Sequence, residues 1–145
     1  MHILFPVCDS LSDFNNGSVI VTPGISGNWS YDAIAEFSCI TGYVLSHNGS
    51  LRCVQNGFGT ANWNDTVPTC EIQDCNDLHQ PTNGTIELNG TTYLSVVRYT
   101  CDLGFYLNGP EHRKCLPSGK WSATAPTCNA IRKRIINGIS FKTIS

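Results

Sequence analysis

YTCDLGFYLNGPEHRKCLPSGKWSATAPTC, residues 99–128, is the stretch on which the reading of the chain turns. Cys101 is followed by Gly104-Phe105, then by Cys115, a Gly119-Lys120-Trp121-Ser122 stretch and a closing Pro126-Thr127-Cys128. The same order occurs upstream, over residues 37–70: Cys39, Gly42-Tyr43, Cys53, Trp63 and Pro68-Thr69-Cys70. In both copies Trp stands seven residues before the last Cys, and the two middle cysteines are fourteen apart. The chain is therefore a tandem repeat.

Composition limits what the repeat can be. Eight Cys in 145 residues point to small units stapled by bridges. A module of about 60 residues buries only about 60% of the surface its unfolded chain exposes, so its apolar core is marginal without such staples. An even cysteine count with no repeated C-x-x-C spacing argues for disulfides over metal, with Cys70-x4-Cys75 leaving zinc as the minor alternative. Disulfides imply an oxidising compartment.

Six N-x-S/T sequons agree with that compartment: Asn16, Asn28, Asn48, Asn64, Asn83 and Asn89. Four of them are Asn-Gly pairs, which hairpin turns favour because both central residues take positive φ. Some are thus turns that happen to precede Ser or Thr, and about half are expected to carry glycan. Either reading puts them on exposed loops.

A net charge of -2 with 14% charged residues gives no field that would draw nucleic acid or an anionic membrane. No apolar run approaches the roughly 20 residues of a membrane-spanning helix, so direct membrane insertion is not expected. Residues 1–7 form an N-terminal tail too short for a signal peptide, without a positive start or a cleavage site. A disulfide-rich chain lacking an export signal reads as a fragment, or as a gene model without its first exon.

In chain order, CDSLSDFNNGSVIV from Cys8 aligns without a gap on CNDLHQPTNGTIEL from Cys75. Asn-Gly followed by alternating Val19 and Val21, or Ile86 and Leu88, reads as a turn entering a half-buried strand. Between Thr22 and Ala33 lies a Pro- and Gly-rich loop that makes the first repeat five residues longer than the second up to its second Cys. That loop, carrying Trp29 and Tyr31, is where the first unit would differ in partner. IAEFSC (34–39) and VVRYTC (96–101) alternate apolar and polar residues as strands with one buried face do. Tyr43 and Phe105, each after a Gly, and Trp63 and Trp121 are the expected core aromatics, the tryptophans packed against the bridges. Leu45 and Leu107 are the next inward residues. No stretch of either repeat holds a 3.6-residue apolar period, so no helix is expected.

With those residues laid out, the chain resembles two complement control protein modules, also called sushi domains, over Cys8 to Cys128. The resemblance rests on four cysteines per unit, Asn-Gly after the first, an aromatic two residues before the second, Gly-aromatic after it, and Trp then Pro-x-Cys at the end. It implies an all-β fold of two small disulfide-stapled modules arranged end to end: residues 8–70 and 75–128, a linker at 71–74 and a basic tail at 129–145. Sequence arithmetic alone allows three pairings per module. The resemblance implies first-to-third and second-to-fourth pairing: Cys8 with Cys53, Cys39 with Cys70, Cys75 with Cys115, Cys101 with Cys128. Two departures fall in the first module: Phe14 stands where the second has Pro81, and four extra residues lie around Phe58 to Asn62.

Proteins similar to this pattern are extracellular, either secreted or ectodomains: complement regulators and receptors, selectins and other adhesion molecules, matrix proteins. The implied role is a non-catalytic, rigid, glycosylated rod that presents loops to an extracellular or cell-surface protein, complement components among the candidates. No binding residue is common to the family, and none carries over. No cofactor is implied. His2, His47, His79 and His112 fall in loops or the N-terminal tail without nearby Ser or carboxylate patterns, so no enzyme is expected of this polypeptide. The tail offers an alternative. Arg132-Lys133-Arg134 is a basic site open to trypsin-like cleavage, and Ile135-Ile136-Asn137-Gly138 resembles the N-terminus that chymotrypsin-type zymogens expose, with cleavage between Arg134 and Ile135. On that alternative the modules are the regulatory arm of a secreted serine protease zymogen.

Overall fold

A computed structural model describes residues 5–57 and 59–144, and it is all-β, with no helix among them. His2, Phe58 and the first residues of the N-terminal tail lie outside the described residues. The chain divides between Ile72 and Gln73 into two compact units.

The first unit holds β1 (Gly17–Thr22), β2 (Ile34–Cys39), β3 (Tyr43–Leu45), β4 (Ser50–Gln55), β5 (Ala61–Trp63) and β6 (Cys70–Ile72). Its strands form a four-stranded antiparallel sheet in the order β1-β2-β4-β5 and a separate β3-β6 pair. The second unit holds β7 (Gly84–Leu88), β8 (Val96–Cys101), β9 (Phe105–Asn108), β10 (His112–Lys114), β11 (Thr127–Ala130), β12 (Arg132–Ile136) and β13 (Ile139–Thr143). There the order is β10-β8-β7, beside a β9-β11 pair and a β12-β13 pair. The extra residues of the first unit account for one difference. They give β4 and β5 room for a three-rung ladder from Cys53↔Trp63 to Gln55↔Ala61, where the second unit has the single bridge Cys115↔Trp121.

Four disulfides staple the strands: Cys8–Cys53, Cys39–Cys70, Cys75–Cys115 and Cys101–Cys128, at sequence separations of 45, 31, 40 and 27. Loops of that size correspond to about 4 kcal/mol of stabilisation per bridge in the chain-entropy account. Cys70 and Cys75 belong to different bridges.

Alternation along β2 and β8 turns Ala35 and Phe37, and Val97 and Tyr99, inward. In the second unit Val97, Tyr99, Trp121, Cys75 and Cys115 make one buried cluster, covered by Leu78, Ile86 and Leu107. In the first, Cys8, Ala33, Cys53 and Ala61 form one cluster and Ala35, Phe37 and Leu51 another, with Trp63 and Val21 packed against both. Each indole N–H donates to the backbone carbonyl after the unit's first Cys, Trp63 to Asp9 at 3.0 Å and Trp121 to Asn76 at 3.1 Å. Tyr43 and Phe105 are half-buried at the starts of β3 and β9, opposite Ile72 and Ala130. Of the aromatics flanking the second Cys, the one that enters the core is the one two residues before it, Phe37 or Tyr99.

The Asn-Gly pairs that open β1 and β7 are not hairpin turns. Asn16 and Asn83 take φ of 59° and 61°, but Gly17 and Gly84 keep negative φ. Those glycines are required by space: a Cβ at Gly17 would lie 2.9 Å from Cys70 Sγ, and one at Gly84 2.7 Å from Cys128 Sγ. The pair that does form a two-residue hairpin turn is Asn137-Gly138, with φ of 51° and 76°. It joins β12 to β13, so residues 129–145, expected as a tail, hold the end of β11 and a hairpin. The Arg134–Ile135 bond lies inside β12, with Arg134 opposite Phe141 and Ile135 opposite Ser140.

The expected linker is divided between the units. Glu71 and Ile72 pair with Val44 and Tyr43 in β3-β6. The Gln73 carbonyl accepts from Tyr93 N at 2.7 Å, and Asp74 bridges Thr92.

Candidate functional site

The loop between β1 and β2, the longer of its kind in the two units, is braced from inside. Ser30, 1% exposed, donates its hydroxyl to the Gly27 carbonyl at 2.8 Å and accepts from Ser26 N at 3.0 Å. Gly24 N bonds Gly27 O at 3.0 Å, Ile25 N bonds Tyr31 O at 3.1 Å, and Ala33 N bonds Ser30 O at 3.0 Å. Gly24 has no room for a side chain, since a Cβ would lie 2.6 Å from Ala33 N. Outward ties complete the brace. Cys8 N donates to Trp29 O at 2.7 Å, Asp32 N donates to Cys53 O at 2.9 Å, and the Trp29 ring meets Trp63 edge-on at 6.3 Å. Such a ring pair adds about 1 kcal/mol beyond its buried area.

This arrangement separates the two aromatics of the loop. Trp29 is half-buried and structural, whereas Tyr31 and Ile25 stand outside, 37% and 63% exposed. Tyr31 also lines a shallow cleft of about 400 Å³ with Gln55, Asn56, Gly57 and Gly59. The two regions in which the first unit is longer than the second thus meet on one surface, although they lie more than twenty residues apart in sequence. Tyr, Asn, Gln and Gly suit adaptable recognition of protein surfaces: the ring supplies area at low entropic cost, and the amides supply hydrogen bonds.

All six sequon asparagines are exposed. Asn48, Asn64 and Asn89 accept backbone N–H bonds through Oδ1 from Ser50, Arg52 and Val96, leaving attachment of a sugar to the other side-chain atom, Nδ2. Asn28 sits in the braced loop itself, two residues before the buried Ser30 hydroxyl.

The histidines divide. His79 is exposed in a loop, and His112 opens β10 instead of lying in a loop. His47 does have a serine neighbour: Nδ1 lies 2.9 Å from Ser46 Oγ, and Nε2 faces the Thr66 carbonyl at 2.9 Å and hydroxyl at 3.1 Å. Ser46 Oγ also accepts from Thr69 N at 3.0 Å, so the group ties two loops together. Among the described residues no carboxylate bonds to the ring, as a hydrolytic triad would need. Among the described residues no three His, Cys, Asp or Glu side chains converge as a metal site would require.

Comparison with known proteins matches this architecture. The profile for the Sushi repeat (SCR repeat) matches residues 8–70 and 75–128. P-selectin of Mus musculus is 38% identical over 110 residues, covering 73% of this chain and 14% of the relative. E-selectin of Homo sapiens is 32% identical over 130 residues, covering 86% and 21%. Sushi, von Willebrand factor type A, EGF and pentraxin domain-containing protein 1 of Rattus norvegicus is 38% identical over 94 residues, covering 65% and 2%. The chain spans less than a quarter of the length of these curated relatives. Its four bridges place it in an oxidising, extracellular setting. No helix among the described residues is long and apolar enough to cross a membrane. With both repeats matched in full, from first Cys to last, the chain belongs to the Sushi repeat (SCR repeat) family.

Proposed function

We propose that this sushi pair is a non-catalytic, glycosylated binding segment of adhesion type, and that its first module holds an extracellular or cell-surface protein against Tyr31, Ile25, Asn56, Gly57 and Gly59. One observation carries the reading: both regions in which the first module exceeds the second converge on the cleft beside Tyr31. Bracing supports it, because a loop fixed by Ser30 and the Trp29–Trp63 pair loses little further freedom when a partner docks. Selectins among the relatives favour an adhesion setting over a soluble regulatory one. The six exposed sequons suit a surface that sugar keeps clear of unspecific contact.

The test is biolayer interferometry of the purified pair against a panel of cell-surface ectodomains and activated complement fragments, at low and physiological ionic strength. An ectodomain should bind, and Tyr31→Ser and Ile25→Ser should each weaken it by roughly tenfold. Binding that neither substitution alters removes the loop from the interface. Silence across the whole panel removes the binding reading. Capture by complement fragments alone replaces adhesion with complement regulation. Intact-mass analysis before and after deglycosylation decides which sequons carry sugar.

A further inference from the structure

The second unit carries a different kind of surface at its last strands, beyond the module's closing Cys128, and it is independent of the Tyr31 loop. Residues 112–145 hold seven of the nine Lys and Arg and none of the eleven Asp and Glu. Four of those cations, Arg132, Lys133, Arg134 and Lys142, lie on the β12-β13 hairpin. The register sets Lys133 directly opposite Lys142. Like charges facing across a ladder repel, and the repulsion is relieved when an anion sits between them. Neither lysine has an ion-pair partner among the described residues, where the pairs are Arg52–Asp32 and Arg98–Glu111.

The two lysines also line a cleft of about 440 Å³ within the second unit. Half-buried Phe105 and Ile131 line it on the apolar side, and Leu103 stands fully exposed at the tip of the β8-β9 turn. The turn and the hairpin are tied where Ile131 N donates to Gly104 O at 2.8 Å. Asp102 lies on the cleft wall, so a bound anion is directed to the lysine side. An apolar lining beside paired cations calls for a ligand with both characters in one short segment. A sulfated polysaccharide brings charge without bulk to cover Leu103, and an uncharged apolar peptide leaves the lysines facing one another.

We propose that this cleft docks an acidic, apolar peptide segment of an extracellular protein. A leucine or aromatic side chain lies against Leu103, Phe105 and Ile131, and an adjoining carboxylate sits between Lys133 and Lys142. So small a contact binds weakly by itself, with a Kd on the order of 100 µM, and gains through multivalent display.

Fluorescence anisotropy of the whole chain with a fluorescein-labelled hexapeptide, Leu-Phe flanked by two glutamates on each side, tests this. Binding should weaken about tenfold in Lys133→Ser/Lys142→Ser and about fivefold in Leu103→Ser, whose fully exposed side chain contributes little to folding. Tyr31→Ser should leave it unchanged, which separates this surface from the first module's. The proposal is overturned if a Ser-Ser version of the peptide, or a heparin hexasaccharide, binds as tightly as the probe, since charge alone then suffices. It is equally overturned if Leu103→Ser has no effect, or if no binding occurs up to about 2 mM peptide.

Discussion

Leu51 and Arg113 stand at the same place in the two modules, two residues before the third cysteine, and fill it by opposite means. Leu51 is fully buried against Ala35 and Phe37. Arg113 is half-buried and spends its guanidinium on three acceptors: Ser122 O at 2.8 Å, Tyr99 hydroxyl at 3.1 Å and Ala123 O at 3.0 Å. Across the sheet Leu51 pairs with Ala35 and Arg113 with Val97, and the aromatic two residues further along that neighbouring strand is matched to each. The first module has Phe37, with nothing to satisfy, and Phe14 meets that ring edge-on at 4.9 Å. The second has Tyr99, 2% exposed, whose hydroxyl would be stranded without Arg113. A core slot in this architecture is thus specified by a pair of residues, and either solution holds as long as both members agree.

The largest effect expected from breaking that agreement is Leu51→Arg. A cation there meets Phe37 and no hydroxyl, and an uncompensated buried charge costs about 3–5 kcal/mol. Calorimetry should show the first module's transition collapse while the second module's persists; a single unshifted melt would mean that the slot opens to water. Arg113→Leu is milder, about 1–3 kcal/mol, because it strands the buried Tyr99 hydroxyl and the part-buried Ser122 carbonyl. Adding Tyr99→Phe should recover part of the loss. If the double variant is no more stable than the single one, the matching argument is wrong.

Trp29→Ala tests an asymmetry of another sort, since the second module has no counterpart of the Trp29–Trp63 pair. A loss of about 1–2 kcal/mol confined to the first module is expected, read by urea unfolding. The smallest effect is a similarity. Arg52–Asp32 at 2.9 Å and Arg98–Glu111 at 3.1 Å link β4 to its neighbouring loop in one module and β8 to the turn before β10 in the other, all four side chains about half exposed. Double-mutant cycles should give less than about 1 kcal/mol in both. A clearly larger value in either would show a coupling that the surface geometry does not suggest.

How far these features are legible in sequence follows from their range along the chain. IAEFSC and VVRYTC announce β2 and β8 with their observed limits, because alternation is local. Tyr43 and Phe105 read as core residues but are half-buried, since alternation tells which residues share a face and not which face is covered. The meeting of Tyr31 with Asn56 depends on the pairing of β2 with β4, a tertiary event that no local window contains. Two signals were legible in principle. Asn137-Gly138 between Ile136 and the alternating Ile139 and Phe141 is a strong hairpin signature. The cation excess of residues 112–145 disappears when charge is averaged to -2 over the whole chain.

The division of residues 71–74 has a practical consequence for anyone who would cut or transplant these modules. Boundaries drawn at the cysteines would sever Tyr93 N from Gln73 O and the Asp74–Thr92 bridge on one side, and two of the three β3-β6 rungs on the other. A second module expressed alone should begin at Gln73, and a first module should run to Ile72. The junction has no spare residue: deleting any one of the four removes a bond from one module or the other, which makes this four-residue span a poor place for insertion tags, protease sites or chimaeric joins.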